Sequence, residues 1–241
     1  MSFNNLFSLN PIKRISALNR FLDQFTFKKA NRLLKKEIEI ILASDDYPFY
    51  DYGQNYFYQS FRKVGIRGLR STEERIKILD INSLISNKTV LDIGCNSGFL
   101  LMQLSNNYKY AEGIDINHTM IKIANTVKKR LKLSNVFFHN ESIENFKCNR
   151  KYDVILSLAN HDTFDQNIKL NLIEYFTKIR SLLKKEGFMV FESHPIAIEP
   201  LDKRMNYQKI IKNFFNIEKI FYADFGSFLD KNREYIIARK K

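Results

Sequence analysis

Thr89 to Leu101 read T-V-L-D-I-G-C-N-S-G-F-L-L. The run opens with Val90, Leu91 and Ile93, interrupted by Asp92, and passes through Gly94-Cys95-Asn96-Ser97-Gly98. An apolar pattern at helical spacing follows at once in Phe99, Leu100, Leu101 and Leu104. This order predicts a buried strand, a tight turn and the start of a helix. Gly94 and Gly98 let backbone approach a ligand with no Cβ in the way. The helix start directs free N–H groups and a positive dipole end back at the turn.

Outward from this turn the chain alternates strand and helix. The first strand is Val90–Ile93, with a helix from Phe99. The second is Ala111–Ile114, ending in Asp115, followed by a helix through Met120, Ile123, Ala124, Val127 and Leu131. Val136–Phe138 and Asp153–Leu158 are the third and fourth. An amphipathic helix over roughly Asn167–Leu183 leads to the turn Lys185-Glu186-Gly187 and a fifth strand, Phe188–Glu192. A helix over about Met205–Phe215 precedes two last runs, Ile217–Tyr222 and Tyr235–Ala238, which pair as antiparallel strands. Ser71 or Thr72 caps a helix carrying Glu73, Glu74 and Asp80.

Before this core, Ile12 to about Ala43 shows apolar residues mostly at helical spacing, among them Ile15, Leu18, Leu22, Leu34 and Ile38. Residues 45–70 are dense in tyrosine and hold Pro48, Gly53, Gly65 and Gly68. Two readings stay open for them: a cover over the active site, or an aromatic layer packed on the domain. The division expected is a helical and aromatic extension over 1–70 and a domain over 71–241.

D-I-G-C-N-S-G resembles the first motif of class I S-adenosylmethionine (SAM) methyltransferases, D/E-x-G-x-G-x-G. Gly94 and Gly98 match its first and third glycines, and Asn96 departs from the middle one. Asn is among the residues that tolerate left-handed backbone, so the turn survives. A dinucleotide site would need G-x-G-x-x-G, which this spacing lacks. The resemblance implies an α/β, Rossmann-like seven-stranded sheet, mostly parallel with an antiparallel last strand. It implies SAM as cofactor, bound by Asp92, Gly94, Asn96, Gly98 and Asp115, with Glu141 or Ser142 at the adenine and Arg70 at the methionine end. Asp115, about 20 residues after the glycine turn, is placed to accept ribose hydroxyls, and as a plain alternative it caps the next helix.

Ligands of a doubly wound sheet bind at the carboxyl ends of its strands. The fourth strand runs into Ala159-Asn160-His161-Asp162 and the fifth into Glu192-Ser193-His194-Pro195. Glu192 and His194, two apart, project to one side of extended backbone. His161, Glu192 and His194 are therefore expected to bind a divalent metal (Fe, Mn or Mg), two histidines and a carboxylate being a known ligand set. The alternative is a general base among His161, Asp162 and His194, with the others bonding substrate hydroxyls.

The chain has 241 residues, 44% of them hydrophobic and 14% aromatic, enough for a full α/β domain. A net charge of +13 favours an acidic partner, although the cations are spread along the chain. Only two cysteines occur, Cys95 and Cys148, and no run approaches ~18 apolar residues, so a cytoplasmic protein with no membrane span is expected. The set R-S-T-E-E-R, G-C-N-S-G, N-H-D and E-S-H-P is similar to bacterial methyltransferases of polysaccharide and capsule biosynthesis. That resemblance implies O-methyl transfer to a sugar hydroxyl of a nucleotide-linked sugar. The entry segment and glycine turn also resemble tRNA-modifying methyltransferases, the alternative. A small-molecule substrate is expected ahead of nucleic acid, and assembly into a homo-oligomer is left open.

Overall fold

The computed structural model describes residues 32–44, 57–161, 168–195, 199–224 and 231–241. The expectations for residues 1–31 and 45–56, and for Asp162, lie outside these segments. In chain order come helix α1 (Arg32–Ala43), strands β1 (Phe57–Ser60) and β2 (Gly68–Ser71), helices α2 (Thr72–Leu79) and α3 (Asn82–Ile85), strand β3 (Thr89–Ile93) and helix α4 (Phe99–Gln103). Strand β4 (Tyr110–Asp115), helix α5 (His118–Leu131), strands β5 (Val136–Asn140) and β6 (Tyr152–Leu158) and helix α6 (Leu172–Leu182) follow. Strand β7 (Leu183–Glu192), helix α7 (Leu201–Phe214) and strands β8 (Phe215–Ala223) and β9 (Arg233–Lys240) complete the order.

Seven strands form one sheet in the order β5-β4-β3-β6-β7-β9-β8. β3 pairs in parallel with β4 on one side and β6 on the other, so strand order reverses beside the glycine turn. β9 runs antiparallel to β7 and to β8. The expected Rossmann-like sheet with an antiparallel end is what the chain forms. Its two faces are distinguished by the period of two along each strand. Val90 and Leu156 join the core under α1, α4 and α5, whereas Leu91 and Ile155 join the core under α6 and α7. Each fully buried Leu, Ile or Phe contributes about 1.5–3 kcal/mol.

Local chemistry ends the helices where the sequence indicates. The Ser71 hydroxyl accepts from the Glu74 N–H at 3.1 Å and caps α2, while the Thr72 hydroxyl donates to the Ser60 carbonyl at 2.6 Å. Asn171 and Glu174 form a reciprocal capping box on α6. Lys132 closes α5 in left-handed backbone.

Three features depart from expectation. β1 and β2 form a small parallel sheet of their own, with Phe57 opposite Gly68 and Gln59 opposite Arg70. There Phe57 and Phe61 are buried against Phe99 of α4, with ring centroids 5.6 and 5.3 Å apart, so this part of the aromatic stretch packs on the domain. β7 begins at Leu183 rather than Phe188 and passes through Glu186 at φ 58, where the expected turn survives as an irregularity within the strand. α7 begins at Leu201, a turn earlier than expected.

Candidate active site

The turn after β3 holds three successive alternate residues in left-handed backbone: Gly94 (φ 70), Asn96 (φ 50) and Gly98 (φ 68). Asn96 is held there by neighbours. Its N–H donates to Asp115 Oδ2 at 2.8 Å, and its own Oδ1 accepts from the Ser97 N–H at 2.8 Å. The other Asp115 oxygen accepts from the Asn117 N–H at 2.9 Å. Asp115 therefore ties the end of β4 both to the glycine turn and to the start of α5. The capping side chain itself is Asn117, which accepts from the Met120 N–H at 3.2 Å. α4 is a single short helix, so its dipole at the turn is small.

The glycines here are places of close approach. A Cβ on Gly98 would stand 2.3 Å from the Phe138 ring, and one on Gly94 would meet Asn160 at 2.8 Å. Gly113 of β4, which the sequence reading passed over, would meet Cys95 Sγ at 2.7 Å. Glycine inside a strand pattern is the signal that marks it. Gly98→Val combines a left-handed backbone cost of about 1–2 kcal/mol with overpacking of about 1–3 kcal/mol. The expected result is a Tm lower by roughly 5–15 °C in a melting curve.

Asp92 lies on β3 just before the turn and is 3% exposed. Burial pushes its carboxyl up to about 7; Arg75 opposes this, and Asp115 and Glu192 add to it. No hydrogen bond to its side chain is formed among the described residues. An acid so placed favours a cationic group beside it. At the end of β5, the Glu141 N–H donates to the Asp115 carbonyl at 3.0 Å, and Glu141 Oε1 accepts from the Ser142 N–H at 3.0 Å. Glu141 and Ser142 therefore border the same turn. The Arg70 guanidinium donates to the Tyr58 hydroxyl and lies over that ring, 4.5 Å from its centroid.

Asn160 links the turn to the end of β6. Its amide donates to the Ile93 carbonyl, and its Oδ1 accepts from Ser157 and Tyr175 hydroxyls at 3.0 and 3.1 Å. The next residue, His161, has a side chain 1% exposed, set among Phe191, Tyr207 and Tyr175. Its Nε2 lies 3.4 Å from Glu199 Oε1 without hydrogen-bond geometry, so neither ring nitrogen is hydrogen-bonded. Glu199 also accepts from the Tyr207 hydroxyl at 2.9 Å and the His194 N–H at 2.8 Å. Burial acts to raise Glu199, but His161, His194 and that N–H outweigh it and hold the acid at about 2. Burial lowers His194 to about 4. The rings of His161 and His194 are 5.9 Å apart.

Glu192 is not part of this pair of histidines. One of its oxygens takes the Arg75 guanidinium and the other takes Arg233 Nη1 at 2.8 Å, and the carboxylate is 0% exposed. Among the described residues no group of three His, Cys, Asp or Glu side chains could hold a metal ion. The expected set of His161, Glu192 and His194 is thus corrected: both Glu192 oxygens face guanidinium groups, whose positive charge opposes a divalent cation. Glu199, Arg75, Arg204 and Arg233 were missed as members of the site. Arg75 stood within the quoted R-S-T-E-E-R, but its partner is on a distant strand.

A model of the family described as "Methyltransferase domain" matches residues 84–240, more than half of the chain. The chain belongs to that family, and its domain is of the class I, SAM-dependent kind. It is similar to the malonyl-[acyl-carrier protein] O-methyltransferase of Bacillus anthracis, 38% identical over 140 residues, covering 56% of this chain and 49% of that protein. The Bacillus cereus enzyme of the same name is 29% identical over 142 residues, with the same coverage. The chain spans about half the length of these curated relatives. The ubiquinone biosynthesis O-methyltransferase of Pelagibacter ubique is 29% identical over 161 residues, 66% of this chain and 64% of that one. Among solved structures, the N-methyltransferase NodS of Bradyrhizobium japonicum with S-adenosyl-L-homocysteine (SAH) aligns with TM-score 0.57 at 19% identity, over 86% of this chain and 98% of that chain. That likeness speaks for the fold. Among the described residues no helix is long and apolar enough to cross a membrane.

Proposed function

We propose that this protein transfers a methyl group from SAM to a hydroxyl oxygen of a small acceptor held at the carboxyl ends of β6 and β7. The observation that carries the reading is the Asn160–His161 step. Asn160 is bonded to the carbonyl that leads into the glycine turn, and His161 beside it faces an ionised Glu199. Cofactor turn and base are thereby held in fixed relation.

The residues fit the cofactor. The turn keeps left-handed backbone at Gly94 and Gly98 and leaves Gly94 exposed, and Asp92 offers a buried carboxyl to a cationic group. Asp92, Gly94, Asn96, Gly98 and Asp115 would hold SAM, with Glu141 and Ser142 toward the adenine and Arg70 on the methionine side. The sulfonium supplies an electrophilic methyl group. A hydroxyl acceptor must lose its proton as it attacks, and Glu199 orients His161 so that Nδ1 can take it. His194 and, from its place in the sequence after His161, Asp162 are proposed as acceptor contacts.

The names of the relatives support oxygen as the acceptor atom, though they name a malonyl carrier protein and ubiquinone biosynthesis and no sugar. The finer reading, a sugar hydroxyl on a nucleotide-linked sugar, rests on the net charge of +13, which suits a pyrophosphate, and on the hydroxyl base. The direct test is mass spectrometry of SAM reactions with nucleotide-sugars, carrier-bound acyl groups and tRNA. A methylated tRNA and no methylated small molecule would overturn it.

Asp92 gives a pH dependence. With its carboxyl near 7 in the free protein, a bound cation favours the ionised form and drives off a proton. SAM binding at pH 7 is expected to release a fraction of a proton and to weaken as pH falls below 7. Calorimetry in buffers of different ionisation enthalpy reads this directly; no proton release would remove Asp92 from the cofactor site. The sign for stability of the free protein is the reverse. A raised acid contributes stability that is present at low pH and lost as pH rises through about 7.

A further inference from the structure

The net charge of +13 is unevenly placed. From Asn117 to Asn140 the chain contains no Asp or Glu, yet it carries Lys122, Lys128, Lys129, Arg130 and Lys132. This run makes α5 and β5, and β5 is the outermost strand of the sheet. The last turn of α5 meets the amino ends of the strands, away from the glycine turn. There the Lys109 N–H donates to the Lys88 carbonyl and the Ala111 N–H to the Asn135 carbonyl, both at 2.9 Å, which sets the connections before β3, β4 and β5 side by side. Those connections, and the one before β6, also lack acids over 81–90, 103–111 and 145–152. Lys88, Lys109, Lys129, Arg130, Lys132 and Arg150 are all exposed.

A surface that serves solubility interleaves both signs of charge. A helix C-terminus draws cations to its own last turn, but Lys88, Lys109 and Arg150 belong to other elements. Glu112 of β4 is 7% exposed and turned to the Tyr110 and Tyr152 hydroxyls, with Arg150 Nε 3.8 Å away. It offsets Arg150 and leaves the five other cations to solvent.

An aromatic stack stands among these cations. Phe137, 36% exposed, and Tyr110 have ring centroids 5.2 Å apart and planes inclined by 29°. Lys128 Nζ lies 4.2 Å from the Phe137 centroid, and the Arg150 guanidinium lies 4.1 Å from that of Tyr110. Cations alone would suit any polyanion. An exposed ring among them suits one whose phosphates alternate with flat bases. A bilayer would need an apolar face to bury as well. Among the described residues, Phe137 is the one large exposed apolar side chain in this corner.

We propose that the corner formed by the end of α5, the outer strand β5 and the amino ends of β3, β4 and β6 binds an unpaired stretch of RNA. A base stacks on Phe137, and Lys128 moves from the ring to a phosphate. The corner lies at the opposite ends of the strands from the cofactor turn, so this is a docking surface separate from methyl transfer and goes beyond the methyltransferase reading.

The experiment is fluorescence anisotropy of a labelled twelve-nucleotide oligouridine with the full chain, from about 50 to 200 mM salt. Log affinity should fall linearly with log salt, by about 0.7 per phosphate contact and so with a slope no steeper than about −4. The triple variant Lys129→Gln, Arg130→Gln, Lys132→Gln should bind about tenfold or more weakly, with a slope shallower by about 2. Phe137→Leu keeps apolar bulk and the charges. It should weaken the oligouridine about fivefold or more at unchanged slope, and leave binding of an RNA duplex at the parent value, since the base faces there are stacked on each other. Lys88→Gln with Lys109→Gln, on different connections, should also weaken the oligouridine, so the charge test does not depend on α5 alone. SAH affinity should be the same in the parent and all variants, and with or without oligouridine. A parent that ignores oligouridine, an affinity unmoved by Phe137→Leu or by the charge variants, or equal affinity for poly-glutamate would overturn the proposal. So would binding to anionic phosphatidylserine vesicles without binding to RNA, or displacement of SAH by the oligouridine.

Discussion

Glu192→Leu is expected to lower the folding free energy by about 3–5 kcal/mol, the cost of breaking a buried ion pair by removing one partner. Glu192 is 0% exposed, and Arg75 and Arg233 on either side of it are nearly as deeply buried, so solvent does little to screen the group. Removing the carboxylate leaves two guanidiniums facing each other in low dielectric. The measurement is a urea melt, where the midpoint should fall by about 1–3 M. The triple variant Arg75→Met, Glu192→Leu, Arg233→Met separates charge from packing. It should recover most of the loss, because no unpaired charge remains. A single variant as stable as the parent would show that the triad does not hold α2 to β7 and β9.

The triad also sets a pH sign opposite to that of Asp92. Burial raises Glu192, but Arg75 and Arg233 outweigh it and hold the carboxyl below its ordinary range. Its contribution is therefore present above the ordinary carboxylate range and lost on acidification. Asp92, raised to about 7, contributes in the other direction. Titration of the free protein between the ordinary aspartate value of 3.8 and about 7 reports Asp92, and titration below the ordinary glutamate value of 4.5 reports Glu192. Arg75 couples the two, since it acts on both carboxyls.

What could be read from the sequence was what depends on near neighbours. The glycine turn, the strand before it and the acid ending β4 are local patterns, and the departure at Asn96 was legible because asparagine tolerates the left-handed region. Asp115 carried two readings, a ribose contact and a cap. The structure adds a third role, a bond to the turn itself, and gives the cap to Asn117. Short apolar runs alternating with helical patterns placed the sheet strands. What could not be read depends on distant pairing. The spacing of Glu192 and His194 predicts a shared side of the strand, but the partners of Glu192 are Arg75, 117 residues away, and Arg233, 41 residues away. No local rule reports that a carboxylate is already neutralised, which is why a metal set looked complete. β1 and β2 escaped for a similar reason: four-residue parallel strands are defined by each other, and their tyrosine- and glycine-rich setting reads as loop.

The largest effect on catalysis is expected at His161. His161→Asn keeps a polar side chain of similar bulk and removes the base, and kcat should fall by about 10²–10⁴-fold, the usual worth of a positioned base. The SAH affinity should be unchanged, because the contact to the cofactor turn is made by Asn160. Glu199→Gln tests the other half of the pair. Glu199 touches His161, His194 and Tyr207 and lies behind the base, so it is a positioning residue. Its loss should lower kcat less than His161→Asn does. The double variant decides between the roles. If Glu199 acts only by orienting His161, then once His161 is gone the second substitution costs little more in kcat. Additive losses would show that Glu199 acts on the acceptor directly. Unchanged kcat in His161→Asn would exclude His161 as the base and leave the proton of the acceptor to another group, with His194 next in line at a ring distance of 5.9 Å.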